Sequence, residues 1–401
     1  MRPALLALLL IVLLVVPGSS LSAADTVASV AAPFRYRLAS WETRVLLEKG
    51  FAGIRQQLRS GPVAQPDDSG LVRRYFDLAE RVAEARGRLE RAAAAREGTG
   101  GIEGELVALE REQEGLENAV ERALAAQVDA ALRREGLGRG PGGRILFPPV
   151  LLEIDPLPAV LVVSPRERIE LQESHLLQAG LSLPERERLE GQNERLLLSA
   201  LVTDIGGLAT YPSLVPNAFG LQFALASVAH EWLHQYLAFQ PLGKGYFVGG
   251  EMTTLNETVA TLFGDELGAR LYHELYGGPP PPVAQELGSS SGDPKQLDFT
   301  REMRQTRLRT EELLREGQIA QAEQYMEQRR QFLLSRGYYL RKLNQAYFAF
   351  HGAYAEGPAA VSPLGGQVRL LRVRSASLGD FIRTVESFGR VEEFRAYLAA
   401  P

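Results

Sequence analysis

Residues 220–237, GLQFALASVAHEWLHQYL, contain no proline and a single glycine at their start, and the pattern predicts one largely buried helix. Inside it stands His230-Glu231-Trp232-Leu233-His234. Residues four apart share a helix face, so His230 and His234 can grip one metal ion together. Glu231 projects about 100° around the same helix, within reach of a water on that ion. Two neutral nitrogen ligands, an open coordination position and a carboxylate base form the layout of a zinc-dependent hydrolase. Burying three polar side chains in an apolar helix is costly, and a metal ion offsets the cost. The plain alternative is a core helix whose histidines bond internally, which leaves Glu231 without a role.

A catalytic zinc takes a third protein ligand. The third histidine of a metzincin is absent, since position 237 is Leu237 and position 240 is Gln240. Downstream, the turn-rich Pro241-Leu242-Gly243-Lys244-Gly245 leads into a predicted helix over residues 251–275 that carries Asn256-Glu257-Thr258-Val259-Ala260. On these residues the chain resembles the gluzincins, the HExxH-plus-glutamate metallopeptidases that include thermolysin-like proteases and M1-type aminopeptidases. The resemblance implies that His230 and His234 are zinc ligands, Glu231 the general base and Glu257 the third ligand. Glu251 and Glu266 stand as the other carboxylates for that third place. The interval from His234 to Glu257 is slightly longer than the family's usual one, a difference that a loop between helices absorbs. Asp265 and Thr261, one or two turns beyond Glu257, are candidates to orient a ligand imidazole, since zinc sites generally need such support.

Two further segments bear on a peptidase reading. Residues 206–215 mix β-favouring residues with glycine and proline, and 208–211 form a candidate edge strand for pairing with an extended substrate, an ordinary loop being the alternative. Residues 343–354 read as a helix with Asn344, Tyr347, His351 and Tyr354 on one side. Such a polar stripe can line a cleft, with His351 or Tyr354 as the donor to a developing oxyanion, or can simply put its tips at the surface. His175 and His273 have no partner at useful spacing and read as structural.

The chain has 401 residues, 45% hydrophobic and 23% charged, with a net charge of −5 and no cysteine. This balance excludes a basic nucleic-acid-binding surface, and the lack of cysteine excludes disulfides, thiolate-ligated zinc and cysteine catalysis. Arg2, an apolar run over residues 4–16 and the small residues Ser22-Ala23-Ala24 describe a secretory signal peptide. Left uncleaved, the same segment anchors the chain in a membrane; either way the body lies outside the cytoplasm. Residues 25–140 read as a helical region whose segments 72–95 and 102–134 form an amphipathic hairpin, with Gln113 interrupting its apolar seam. GLGRGPGG at 136–143 marks a boundary, and short apolar runs at 145–147, 150–154 and 159–163 read as strands, after which helices dominate. Residues 277–296 are Pro-, Ser- and Gly-rich and read as an exposed loop.

The expectation is therefore a mostly α protein with a small β-sheet (α+β), a zincin-like metallopeptidase core over 141–401 and an added helical hairpin. It would bind one Zn2+ and act on a peptide or protein substrate. The competing expectation is a zincin-fold scaffold at the cell envelope without turnover, supported by the long hairpin and opposed by the presence of Glu231.

Overall fold

The computed structural model describes residues 26–48, 68–143, 145–246, 250–280, 298–352 and 362–400. The signal-peptide segment and most of the 277–296 loop lie outside the described residues. The architecture is mostly helical with a small amount of sheet, an α+β arrangement. No helix among the described residues is long and apolar enough to cross a membrane.

After the short helices α1 (Val27–Ala31) and α2 (Leu38–Glu48), the hairpin forms from α3 (Asp68–Ala94) and α4 (Gly100–Arg134). Its outer half has a private core of Leu78, Val82, Ala85 and Leu109, backed by Leu106. Ion pairs such as Arg74–Glu112 and Arg86–Glu110 cross its exposed side, where each contributes little. Gln113 is buried in the seam with its amide nitrogen unpartnered, which weakens the pairing there. The inner half of the hairpin belongs to the main core: Val72, Tyr75, Leu124, Val128 and Leu132 pack in one cluster with the metal-motif helix. The glycine-rich stretch at 136–143 is thus a turn between elements that share a core.

Three strands form an antiparallel sheet in the order β3 (Glu173–Leu177), β2 (Ala159–Pro165), β4 (Leu198–Asp204). Alternate residues of β2 point to opposite faces. Leu161 and Val163 face a cluster with Leu177 and Leu189, the latter from α5 (Leu183–Glu194). Val160 and Val162 face Ala346 of α11 (Gln345–His351). With both faces covered, β2 reads as an unbroken apolar run rather than an alternation. A separate two-stranded parallel pair joins β1 (Leu152–Ile154) to β5 (Ser213–Val215). Of the three expected strands, 145–147 is replaced by an isolated bridge between Ile145 and Arg139, while β3 and β4 appear where helices were expected and β5 lies at the end of the β-favouring stretch 206–215.

The centre of the molecule is an antiparallel helix pair, α6 (Leu221–Leu237) and α8 (Glu251–Tyr276), joined through the short α7 (Pro241–Tyr246). Leu225, Val228, Leu233 and Leu237 from α6 bury against Leu255, Val259, Phe263 and Leu267 from α8. Each such side chain contributes about 1.5–3 kcal/mol on burial. Gly264 and Gly268 set the closeness of this pair. A Cβ on Gly264 would fall 2.7 Å from the Ala226 carbonyl oxygen and 3.0 Å from His230 Cβ. On Gly268 it would fall 2.6 Å from the Ala226 nitrogen. Beyond lie α9 (Phe299–Arg315) and α10 (Ile319–Ser335), followed by α12 (Leu364–Arg374), α13 (Leu378–Val385) and α14 (Val391–Ala399). The last three close the core with Val368, Phe381 and Phe394.

Candidate metal centre

Helix α6 sets His230 and His234 one turn apart, and their Nε2 atoms face each other at 3.0 Å. The close approach of α8 at Gly264 brings Glu257 to the same point. Its Oε2 lies 3.7 Å from His230 Nε2 and 3.5 Å from His234 Nε2. Ligands bound at about 2.0–2.1 Å around a tetrahedral ion stand roughly 3.3 Å apart, and these three separations bracket that value. Atoms of His230, Glu231 and His234 also lie within 4.8 Å of one another. The buried group can therefore hold a metal ion, and its imidazole and carboxylate donors suit zinc among several divalent ions.

The ligand-type side chains are held from behind. Asn256 Oδ1, buried one residue before Glu257, lies 2.8 Å from His234 Nδ1. As an acceptor it fixes the proton on Nδ1, so the lone pair of Nε2 faces the cluster. The Asn256 amide in turn donates to the Leu242 carbonyl at 3.5 Å. Tyr246 donates its hydroxyl to Glu257 Oε1 at 2.9 Å, leaving Oε2 for the histidines. Thr253 donates to the Tyr246 carbonyl at 2.8 Å and ties α7 to the first turn of α8. Gln235, on the buried side of α6, donates its amide to the Thr210 carbonyl and to Ser213 Oγ, which fastens the helix to the segment before β5.

Glu231 is buried, with only 7% of its surface exposed. Gly207 lies directly over it: a Cβ there would come within 2.9 Å of the Glu231 Cδ and nearer still to Oε1. Burial raises the Glu231 pKa, and Glu257 raises it further against the opposing pull of the two histidines. Burial would also raise Glu257, yet His234 and His230 override it and hold that carboxyl far below the usual range. Burial disfavours the charged form of His234, but Glu257, with help from Glu231 and Asn256, lifts its pKa to about 9. Two imidazoles set between two buried carboxylates thus make a place that stabilises positive charge.

The other carboxylates are committed elsewhere. Glu251 is exposed and pairs with Arg395 at 2.5 Å. Glu266 takes both oxygens to Arg372, at 2.7 and 2.8 Å, and a further bond from Arg270. Asp265 stands in the electrostatic field of His230 without a hydrogen bond to it, so among the described residues Asn256, and neither Asp265 nor Thr261, hydrogen-bonds an imidazole of the cluster. His175 contacts Glu173, and His273 contacts the Gly278 carbonyl, both remote from the cluster in role.

Of the expected polar stripe, Asn344, Tyr347 and His351 lie within the described residues. Asn344 is the N-cap of α11, accepting from Tyr347 N at 2.9 Å and donating to the Ala200 carbonyl at 2.9 Å. His351 ends that helix with its ring packed on Tyr347 at 4.3 Å and Phe350 at 5.2 Å. Burial alone lowers its pKa, to about 4, and no charged group of the metal cluster contributes. Tyr354 lies outside the described residues. The candidate edge at 208–211 is a loop with a single bridge, Leu208 to Leu214, because the strand-forming residues begin only at Ser213.

Sequence reasoning missed Tyr246 and Gly207, which carry no local signal, and the work done by Asn256. The Gly264–Gly268 spacing was a readable sign of close helix packing. Compared with known protein families, curated proteins and solved structures, the chain has no match.

Proposed function

We propose that this protein is a zinc-dependent metallopeptidase with a zincin-like core of the gluzincin kind. The observation that carries the reading is the convergence of His230 Nε2, His234 Nε2 and Glu257 Oε2 within 3.0–3.7 Å, with Glu231 buried beside them. A zinc ion held there supplies a Lewis acid that polarises a carbonyl and acidifies water. The chain's own residues do the rest. Glu231, whose proton affinity is raised by burial, takes a proton as water adds to the scissile carbonyl carbon. It returns that proton to the amide nitrogen as the C–N bond breaks, leaving an amine and a carboxylic acid that gives up its remaining proton to the amine or to solvent. Asn256 keeps His234 in the ligating tautomer, and Tyr246 restrains Glu257 to one oxygen. The apolar segment at residues 4–16 supports export, so the substrates would be extracytoplasmic peptides or proteins.

The test is elemental analysis of the purified protein alongside peptide hydrolysis. Wild type should carry one zinc per chain and cleave peptides. Glu257→Ala should lose most of the metal, and Glu231→Gln should keep it while turnover falls on the order of 10²–10⁴-fold. No zinc taken up from excess would refute the reading. Stoichiometric zinc in a wild type that cleaves nothing would favour the scaffold role, which the private core of the outer hairpin also fits.

A further inference from the structure

Helix α6 carries more than its two histidines on the side that bears the cluster. At about 100° per residue, Phe223, His230 and His234 fall within roughly 40° of one another on the helix. One flank of this stripe is covered by α8, where Gly264 sits against Ala226 and His230. The other flank is covered by the segment after β4. Gly206 abuts Phe223, whose ring edge would lie 3.5 Å from a Cβ placed on that glycine. Ser227 donates to the Gly206 carbonyl at 3.4 Å, and Gly207 lies over Glu231. The stripe thus lies between α8 on one side and the Gly206–Gly207 segment on the other. Its far end is aromatic. Phe219 and Phe223 stand edge to face at 5.0 Å and remain 64% and 37% exposed, two large apolar rings open to solvent in line with a buried polar cluster.

We propose that the Phe219–Phe223 pair is a specificity subsite for a bulky apolar side chain of the substrate. The inference rests on the metallopeptidase reading and deepens it. Seven residues of helix separate Phe223 from His230, about 10.5 Å at 1.5 Å per residue. An extended peptide advances about 3.4 Å per residue. An extended chain lying along this stripe with its scissile bond at the cluster therefore sets a side chain about three residues away over the two rings. The substrate class is a peptide with Phe, Tyr, Leu or Met at that place.

The test measures kcat/KM for wild type, Phe223→Ser and Phe219→Ser on a peptide series varied three residues to either side of the cleaved bond, with zinc content and melting temperature recorded for each protein. Wild type should prefer Phe or Leu over Ser at one of these places by about tenfold. In both variants the ratio should fall toward one, through KM and without loss of zinc. A wild type with no such preference, or a preference that survives both substitutions, would overturn the subsite while leaving the peptidase reading intact. Absence of zinc or of any cleavage in wild type appears before a variant is made, and it removes both.

Discussion

Gly264→Ala adds a single methyl group at the tightest point between α6 and α8. The new Cβ would sit 2.7 Å from the Ala226 carbonyl oxygen and 3.0 Å from His230 Cβ. Ordinary contacts for such atoms begin near 3.4–3.6 Å, so the helices must part by roughly half an ångström. Neither obstacle can swing aside, since one is backbone and the other is the first atom of the His230 side chain. Overpacking of this kind costs about 1–3 kcal/mol, offset by about 1 kcal/mol from replacing glycine in a helix. The metal-free protein should therefore lose no more than about 2 kcal/mol. Zinc binding should suffer separately, because half an ångström exceeds the roughly 0.2 Å tolerance of a metal–ligand distance. We expect about tenfold weaker zinc affinity, which removes about 1.4 kcal/mol of the stabilisation that excess zinc confers. Competition with a chromophoric chelator gives the affinity, and thermal melts with and without zinc give the linked stability. Gly115→Ala is the control, since it lies within α4 where an added Cβ meets nothing within 4 Å. It should stabilise the fold by up to about 1 kcal/mol and leave zinc affinity alone. Wild-type zinc affinity in Gly264→Ala would refute the claim that the glycine contact positions Glu257.

Tyr246→Phe removes the donor to Glu257 Oε1 and should weaken zinc binding about tenfold, read by the same chelator competition; an unchanged affinity would remove Tyr246 from the site. Asn256→Leu takes away the acceptor for His234 Nδ1 and should cost about 10–100-fold in zinc affinity. Glu251→Ala and Glu266→Ala should keep one zinc per chain by elemental analysis, since their carboxylates serve Arg395 and Arg372; zinc lost from Glu251→Ala would reopen the choice of third ligand. Burial holds the His351 pKa at about 4, below the unfolded value near 6.5, so the unfolded chain binds the extra proton first. Stability from this group is present above pH 6.5 and declines as pH falls toward 4, and His351→Leu should flatten that part of the melting profile; parallel profiles would show that the ring is not the cause.

Much of the fold and the site was legible in particular residues. The unbroken apolar character of α6, the hairpin seam of α3 and α4 and the apolar run of β2 each stand as periodicity in the chain. Residues 173–177 and 198–204 were not legible as strands, because their pairing with β2 is non-local and little in their own composition announces it. Residues 208–211 misled for the complementary reason: β-favouring side chains make a strand only when a partner has its backbone groups free, and there only Leu208 finds one. For His351, residue type gave a candidate role, while the surroundings of the ring, packed on Tyr347 and Phe350 and part-buried, came only from the fold.

The chain by itself determined that His230, Glu231 and His234 share a helix, because helix geometry is local and fixes what lies four residues away. Only the tertiary structure decided that Glu257 meets them while Glu251 and Glu266 do not. That choice depends on two glycines that let α8 close on α6, and on arginines from the C-terminal helices that claim the other carboxylates. It also decided that Tyr246 and Gly207, distant in sequence and unremarkable in type, come against Glu257 and Glu231. Such contacts arise from the packing of whole elements, and no local pattern encodes them.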